Sequence, residues 1–326
     1  MSTPNSSQNE VVVLMPAHNE AQTIAASIQA VNSSENLNHS LHTIVGVNAC
    51  TDNTVEVLEA LKTKHKSLEY VMEAVPGKPR ALNALLDRAE MTHRMGSEDV
   101  VLFLDANAQV QENTISDLAI MLKHDKSLNA VSANELSLPP QSDSILSHLL
   151  FGVSELSLSS LALRDRKSSC MAVRASKVKG VRFPEHVMAD DLWLSMYLGM
   201  DSVETHPDAF VTVQSPKNFL EFAGKSVKHM VGLYQLEEFF PAHEVREHLP
   251  TGTHEHVEAF LREPELQNEF VRLPGVYQLS SALALPIHAA LKTIAWVAYR
   301  LSPQPKNHST PIPRHAPSPA HSPARA

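Results

Sequence analysis

The sequence predicts an α/β fold, a mostly parallel sheet with helices on both faces, followed by a helical C-terminal region. Three observations carry this. Short β-branched runs recur through the first 135 residues, and amphipathic helical patterns separate them. The runs are apolar without alternation, as strands buried on both faces are.

The first strand is "VVVLM" (11–15). Ile24, Ile28 and Val31 follow at helical spacing, and Asn19 with Gln22 resembles a capping box at that helix's start. "TIVGV" (43–47) is the second strand, and Val55, Leu58 and Leu61 mark the next helix. "LEYVM" (68–72) precedes Leu82, Leu85, Leu86 and Ala89, one face of a third helix. "VVLFL" (100–104) precedes Ile115, Leu118 and Leu122, and "LNAVSA" (128–133) is a fifth strand. The second half reads differently. Residues 142–163 are apolar and helical in pattern, and "CMAVR" (170–174) is a strand. "MADDLWLSMYL" (188–198) opens a helix with two carboxylates. A long helix is expected over 217–238 and further helical segments over 253–272.

The most apolar stretch is 276–301, but Pro286, His288 and Lys292 interrupt it. A membrane span requires about twenty consecutive apolar residues, so none is predicted. Leu283, Ile287, Leu291, Ile294 and Val297 lie on one helical side, the pattern of an amphipathic helix that packs on a neighbour or rests on a membrane surface.

The 326 residues suffice for a sizeable core, and 43% hydrophobic with 19% charged residues is a globular composition. A net charge of −9 argues against a general nucleic-acid binder. Cys50 and Cys170 lie far apart and form no metal-type spacing, so a reducing compartment is the default. The start, "MSTPNSSQNE", has neither a basic nor an apolar leader region, so no signal peptide is expected. The 18 histidines form no HExxH-like spacing.

In parallel sheets, ligands bind outside the carboxyl ends of the strands. Four polar clusters fall at such ends: "PAHNE" (16–20), "NACTDNT" (48–54), "PGKPRALN" (76–83) and "DANA" (105–108). Their convergence makes a site.

The order P-x-H-N-E, C-T-D-x-T, G-K-x-x-A-L-N, L-D-A-x and D-D-L-x-L-S resembles family 2 glycosyltransferases of the GT-A fold, over residues 11–235. The resemblance implies a GT-A type, Rossmann-like sheet. It also implies inverting transfer of a sugar from a nucleotide-sugar, a UDP-sugar above all, to an acceptor hydroxyl. Composition sets off a disordered polar lead-in (1–9), and the resemblance makes 10–240 a glycosyltransferase domain. Within that domain, 10–135 is the nucleotide-binding half and 136–240 the acceptor and catalytic half. A helical region (241–301) and a Pro/Ser/Ala/His-rich tail (302–326) follow. The location it implies is cytoplasmic, with membrane association at the cytoplasmic face through 276–301. The acceptor class is open among glycans, lipid-linked molecules and small molecules.

By the resemblance, Pro16, Ala17 and Glu20 line the nucleoside. Relatives carry two acidic residues where Val47 and Asn48 stand, and Asn48 retains an amide that both donates and accepts. Asp52 either follows the family pattern or caps the next helix. Lys78 and Arg80, at a helix start, face the diphosphate. Asp105 with Asn107 is the metal corner for Mn²⁺ or Mg²⁺, with a neutral amide in the second position. Asp191 is the expected base, with Asp190 its neighbour. "KSVKHMVG" (225–232) has the spacing of Q-x-x-R-W in processive polysaccharide synthases, but Lys225, Lys228 and His229 replace Gln, Arg and Trp. Lys228 and His229 keep reach to the diphosphate, while the lost Trp argues against polymer synthesis. Two alternatives stand beside the transferase. One is a catalytically silent nucleotide-sugar-binding protein, suggested by Asn48 and Asn107. The other is a nucleotidyltransferase, disfavoured by the missing Gly-rich signature after the first strand and by the acidic pair at 190–191.

Overall fold

The computed structural model describes residues 10–34, 40–92, 95–139, 168–216, 218–248 and 290–301, together with His148, Phe151 and Ile287. The expected helical stretches 142–163 and 253–272, the lead-in and the tail lie almost wholly outside them.

Eight strands form one sheet: β1 (Glu10–Ala17), β2 (Ser40–Asn48), β3 (Leu68–Glu73), β4 (Val100–Leu104), β5 (Ala108–Val110), β6 (Ala130–Leu138), β7 (Cys170–Arg174) and β8 (Val203–Gln214). Their spatial order is β3-β2-β1-β4-β7-β6-β8-β5. The first four run parallel, as the sequence predicts. The chain leaves β1 for β2 on one side and later fills the other side with β4. This reversal opens a crevice between the carboxyl ends of β1 and β4.

The helices are α1 (Ile24–Ser33), α2 (Thr54–Lys62), α3 (Lys78–Met91), α4 (Thr114–His124), α5 (Ala175–Val178), α6 (Asp190–Leu198), α7 (Phe219–Phe239) and α8 (Ala242–His248). A further helix, α9, covers 290–301. Strand alternation sends Val11, Val13 and Met15 of β1 into a core with α1, α2 and α4. Val12 and Leu14 enter a second core with α3, α6 and α7. Both faces are therefore dry, which is why β1 shows no period of two. A third, smaller cluster joins α9 to α7 through Leu291, Ala295, Phe222, Met230 and Val231.

Two expectations are corrected and one strand is added. The run 128–133 is not a fifth parallel neighbour: β6 pairs antiparallel with β7 and parallel with β8. Its partners come from distant sequence, which local pattern cannot reveal. Strand β8 was not anticipated because Pro207 interrupts it. The register jumps there, from Ser132↔Thr205 to Asn134↔Phe210, and Asn134 Nδ2 donates to the His206 carbonyl at 2.7 Å. The proline thus sits in a bulge and breaks no ladder bond. Asn19 and Gln22 form no capping box: α1 begins at Ile24, and its preceding Thr23 makes no side-chain cap.

The short β5 has a geometric consequence. It lies at the far edge of the sheet, three strands beyond the neighbour of β4. Yet only Asp105, Ala106 and Asn107 separate it from β4. Such a link spans about 14 Å at most. The sheet must therefore curl until its β8–β5 edge returns beneath the end of β4. Ser27 of α1 bonds the Ala106 carbonyl at 2.9 Å and holds the link from below.

Candidate active site

The crevice at the β1 and β4 ends is lined by Pro16, Ala17, His18, Glu20, Asn48, Pro76, Gly77, Lys78, Asp105, Ala106, Asn107 and Lys228. A narrower recess adjoins it, sharing Pro16, Lys78 and Asp105 and adding Ser168, Ser169, Phe183, Asp190, Asp191 and Leu194. Four of the five motifs therefore meet, as does Lys228 of α7; from the C-T-D-x-T loop only the preceding Asn48 lines the crevice. Two expected residues line neither space. Arg80 lies two residues past Lys78 on α3, so it faces away, and its guanidinium pairs with Glu185. His229 is turned about 100° from Lys228 around α7 and is half-buried.

The β1 and β2 loops are clasped together. Asn19 takes a left-handed φ of 57°, which its short polar side chain tolerates. Its Oδ1 accepts from the Thr51 and Asp52 amides at 2.8 and 3.3 Å. In return, Asp52 Oδ2 accepts from the Ala21 amide at 3.0 Å, and Oδ1 accepts from the Thr54 amide at 3.1 Å. Burial works against the Asp52 charge, but the bonds from Thr54 and Ala21 hold its pKa below the usual carboxylate value. Asp52 is thus a loop clasp and helix cap.

Asn48 lines the crevice and has a second role that the sequence does not announce. Its Nδ2 donates to the Val75 carbonyl at 2.9 Å, and its Oδ1 accepts from the Gly77 amide at 2.8 Å. The amide braces the loop before α3 at the cleft wall. His18, inside the P-x-H-N-E motif, also lines the crevice. Its Nδ1 lies 2.6 Å from the Asn48 carbonyl, and since a carbonyl only accepts, Nδ1 carries the proton. Burial raises the pKa of Glu20; the Thr23 hydroxyl opposes that shift and repulsion from Asp105 adds to it.

Lys78 is the centre of the site. Its Nζ lies 2.7 Å from Asp105 Oδ1 and 2.9 Å from Asp190 Oδ2. Burial alone would lower its pKa, but Asp105 and Asp190 outweigh burial and raise it. The ammonium therefore stays charged throughout the physiological range. Asp190 and Asp191 occupy the first turn of α6, where helix geometry favours negative charge.

Further residues fix this constellation, and of them only Asn83 belongs to a motif. Strand β7 pairs antiparallel with β4, bringing Ser169 to Asp105, whose amide donates to the Ser169 carbonyl at 2.8 Å. Ser169 Oγ donates to Glu135 at 2.6 Å. Asn83, the last residue of the G-K-x-x-A-L-N motif, grips Phe183 from both sides: Nδ2 donates to its carbonyl at 3.0 Å and Oδ1 accepts from its amide at 2.8 Å. Cys170 is no nucleophile: burial pushes its thiol up to about 12, and Asp105 adds to the shift.

The donor set bears on a metal. Asp105 and Asn107 offer oxygen atoms to the cleft, the chemistry a hard divalent cation prefers. Asp105 and Asp190 already converge on a cation, the Lys78 ammonium. The corner is therefore built for positive charge. Among the described residues no group of three or more His, Cys, Asp or Glu side chains forms a metal cage. A metal that fits here draws most of its ligands from elsewhere, as a diphosphate-bound ion does.

Residues 12–138 match the model of Glycosyl transferase family 2. Among solved structures, the chain is similar to the mannosyltransferase PcManGT from Pyrobaculum calidifontis in complex with GDP-Man and Mn²⁺. The two share 21% identity and a TM-score of 0.55, over 90% of this chain and 83% of that one. It is also similar to S. aureus TarS 1-349 in complex with UDP-GlcNAc, at 15% identity and a TM-score of 0.50, over 89% and 92% of the two chains. At these identities the likeness establishes the GT-A fold. No curated protein matches the sequence.

Proposed function

We propose that this chain, whose residues 12–138 carry the family 2 glycosyltransferase pattern, moves a sugar from a nucleotide-sugar to an acceptor hydroxyl with inversion. A UDP-sugar is the donor in this reading. The observation that carries it is the shared wall at Lys78. One ammonium joins the strand-end carboxylate of the donor cleft, Asp105, to the acidic pair of the neighbouring recess. A leaving diphosphate and an attacking hydroxyl need just such adjacent compartments.

In this mechanism Asp191 accepts the proton of the acceptor hydroxyl, whose oxygen attacks the anomeric carbon from the face opposite the nucleotide. The bond to the diphosphate oxygen breaks, and its electron pair leaves with the nucleotide. Lys78 and Lys228 hold the departing charge in place. Asp190, bonded to Lys78, orients that ammonium. A divalent metal held by Asp105 and Asn107 with the donor's phosphates would neutralise further negative charge on the leaving group. The hexosyl or N-acetylhexosaminyl identity of the sugar follows from the donor that binds.

A thermal-shift panel tests the reading. UDP, GDP and their sugar conjugates are added with and without Mn²⁺, because a ligand that binds the native state raises the unfolding temperature by mass action. Stabilisation by one sugar-nucleotide, greater with Mn²⁺, followed by transfer to an acceptor fraction, is the expected outcome. Binding without transfer to any fraction would favour the silent binding protein.

The acceptor in this reading is a glycan, lipid-linked or small-molecule hydroxyl, and α9 makes a peripheral membrane contact. No helix among the described residues is long and apolar enough to cross a membrane. Helix α9 packs Leu291 and Ala295 on α7, while Ile294, Val297 and Leu301 stay exposed. Liposome flotation checks the contact: Leu301→Asp should reduce co-flotation, and equal recovery of both proteins would remove it.

A further inference from the structure

Helix α7 carries one stripe whose residues touch both halves of the site. Lys228 lines the donor cleft. One turn on, Gly232 lies against Ala189, the residue before α6; a Cβ built on Gly232 would stand 2.7 Å from both the Ala189 nitrogen and its Cβ. Gly232 has a helical φ, so close approach and not backbone freedom explains the glycine. Next on the same face, Gln235 is 6% exposed. Its Oε1 accepts from the Met188 amide at 3.0 Å, and its Nε2 donates to the His186 carbonyl at 3.0 Å. His186 closes the stripe, with Nε2 3.2 Å from Glu238 and its ring 5.3 Å from that of Phe239. Spacings of four and three residues place 228, 232 and 235 on one helical side.

The segment 186–189 leads directly into Asp190 and Asp191. Three residues before it, Phe183 is gripped by Asn83 of α3, the helix that begins with Lys78. Both cation-bearing helices therefore hold the backbone that presents the acidic pair. A buried amide placed to satisfy two main-chain groups at once is specific, since an apolar side chain of equal size would leave both groups unpaired.

We propose that Gly232 and Gln235 are positioning residues: they set the distance between the donor cation Lys228 and the Asp190–Asp191 pair, so that α7 couples the donor cleft to the base. The inference rests on the transferase reading above. Gly232 fixes how closely α7 approaches the start of α6, and Gln235 fixes where along α7 the segment sits. Misplacement of reacting groups by about 1 Å costs on the order of a hundredfold in rate.

The test uses Gly232→Ala and Gln235→Met in the full chain, with Leu58→Ala as a control that weakens the distant α2 core. With the sugar-nucleotide identified by the panel, both α7 variants should lose roughly ten- to a hundredfold in kcat. Donor KM and the Kd for UDP should stay within about twofold. Leu58→Ala should lower Tm while keeping kcat per folded molecule. Amide exchange gives an arm that needs no turnover. UDP should increase protection of residues 186–191 in the wild type and not in Gln235→Met. Wild-type kcat in both α7 variants, or a loss matching that of Leu58→Ala, overturns the proposal. So does UDP-induced protection that survives in Gln235→Met. If the wild type binds UDP but transfers nothing, the transferase reading fails, and the exchange result decides the coupling by itself.

Discussion

Asp191→Asn is expected to lower sugar transfer by about 10²–10⁴-fold, the range a positioned general base contributes. The amide keeps the size of the carboxylate and loses its ability to take a proton. Asp191 lies in the recess with Lys78 and Asp190 and does not line the donor cleft. UDP affinity should therefore remain at the wild-type value, and so should the fold. Steady-state kinetics beside calorimetric UDP binding separate the two. A fully active Asp191→Asn enzyme would move the base elsewhere, with Asp190 the next residue to test. Asp190→Asn has a different expected signature, because Asp190 bonds Lys78 at 2.9 Å. That variant should weaken UDP binding as well as turnover.

The second large effect concerns the corner opposite. Asp105→Ala should reduce transfer by roughly a hundredfold or more and abolish the Mn²⁺-dependent part of the UDP thermal shift. Asn107→Ala should cost only about fivefold, since a neutral amide oxygen is the weaker partner of a hard cation. The asymmetry follows from charge and from the fact that Asp105 alone of the two contacts Lys78, at 2.7 Å. The same contact predicts weak Mn²⁺ binding by the ligand-free protein, because the ammonium competes for the carboxylate. Lys78→Gln should then strengthen apo Mn²⁺ binding while weakening UDP binding. Tight Mn²⁺ binding by the ligand-free wild type at this corner would contradict the scheme.

The parallel half of the fold was legible because each of its strands is a continuous apolar run and each helix shows one apolar face. Val11 to Met15 and Leu82 to Ala89 end up buried on the expected sides. The antiparallel half was legible only in part: 128–133 and 170–174 read as strands, but their pairing and the strands β5 and β8 did not show. Pro207 masks β8, and β5 is only three residues long. For the site, the strand-end rule brings Pro16, Glu20, Lys78 and Asp105 to one crevice, since a parallel sheet leaves its loops nowhere else to go. It could not foresee which polar side chain turns inward. Arg80 and Lys78 are two residues apart on one helix, yet only Lys78 faces the cleft. Asn48, read as a base-facing amide, lines the crevice and also braces Val75 and Gly77. His18 lay in plain view inside "PAHNE", without a partner that sequence could name. Ser169 and Gln235 carry no signal at all, because their partners are set by strand pairing and by helix docking.

The three-residue passage from β4 to β5 has a bearing on how this molecule tolerates change. Surface connections ordinarily accept insertions at little thermodynamic cost, because closure entropy grows slowly with length. This one behaves as a drawstring. Its shortness pulls the distant edge of the sheet under the crevice, and Asp105 and Asn107 are two of its three residues. Lengthening it by a pair of glycines is expected to slacken the curl and release the cleft floor together with its carboxylate. Under the transferase reading, the length of this link is itself part of the site.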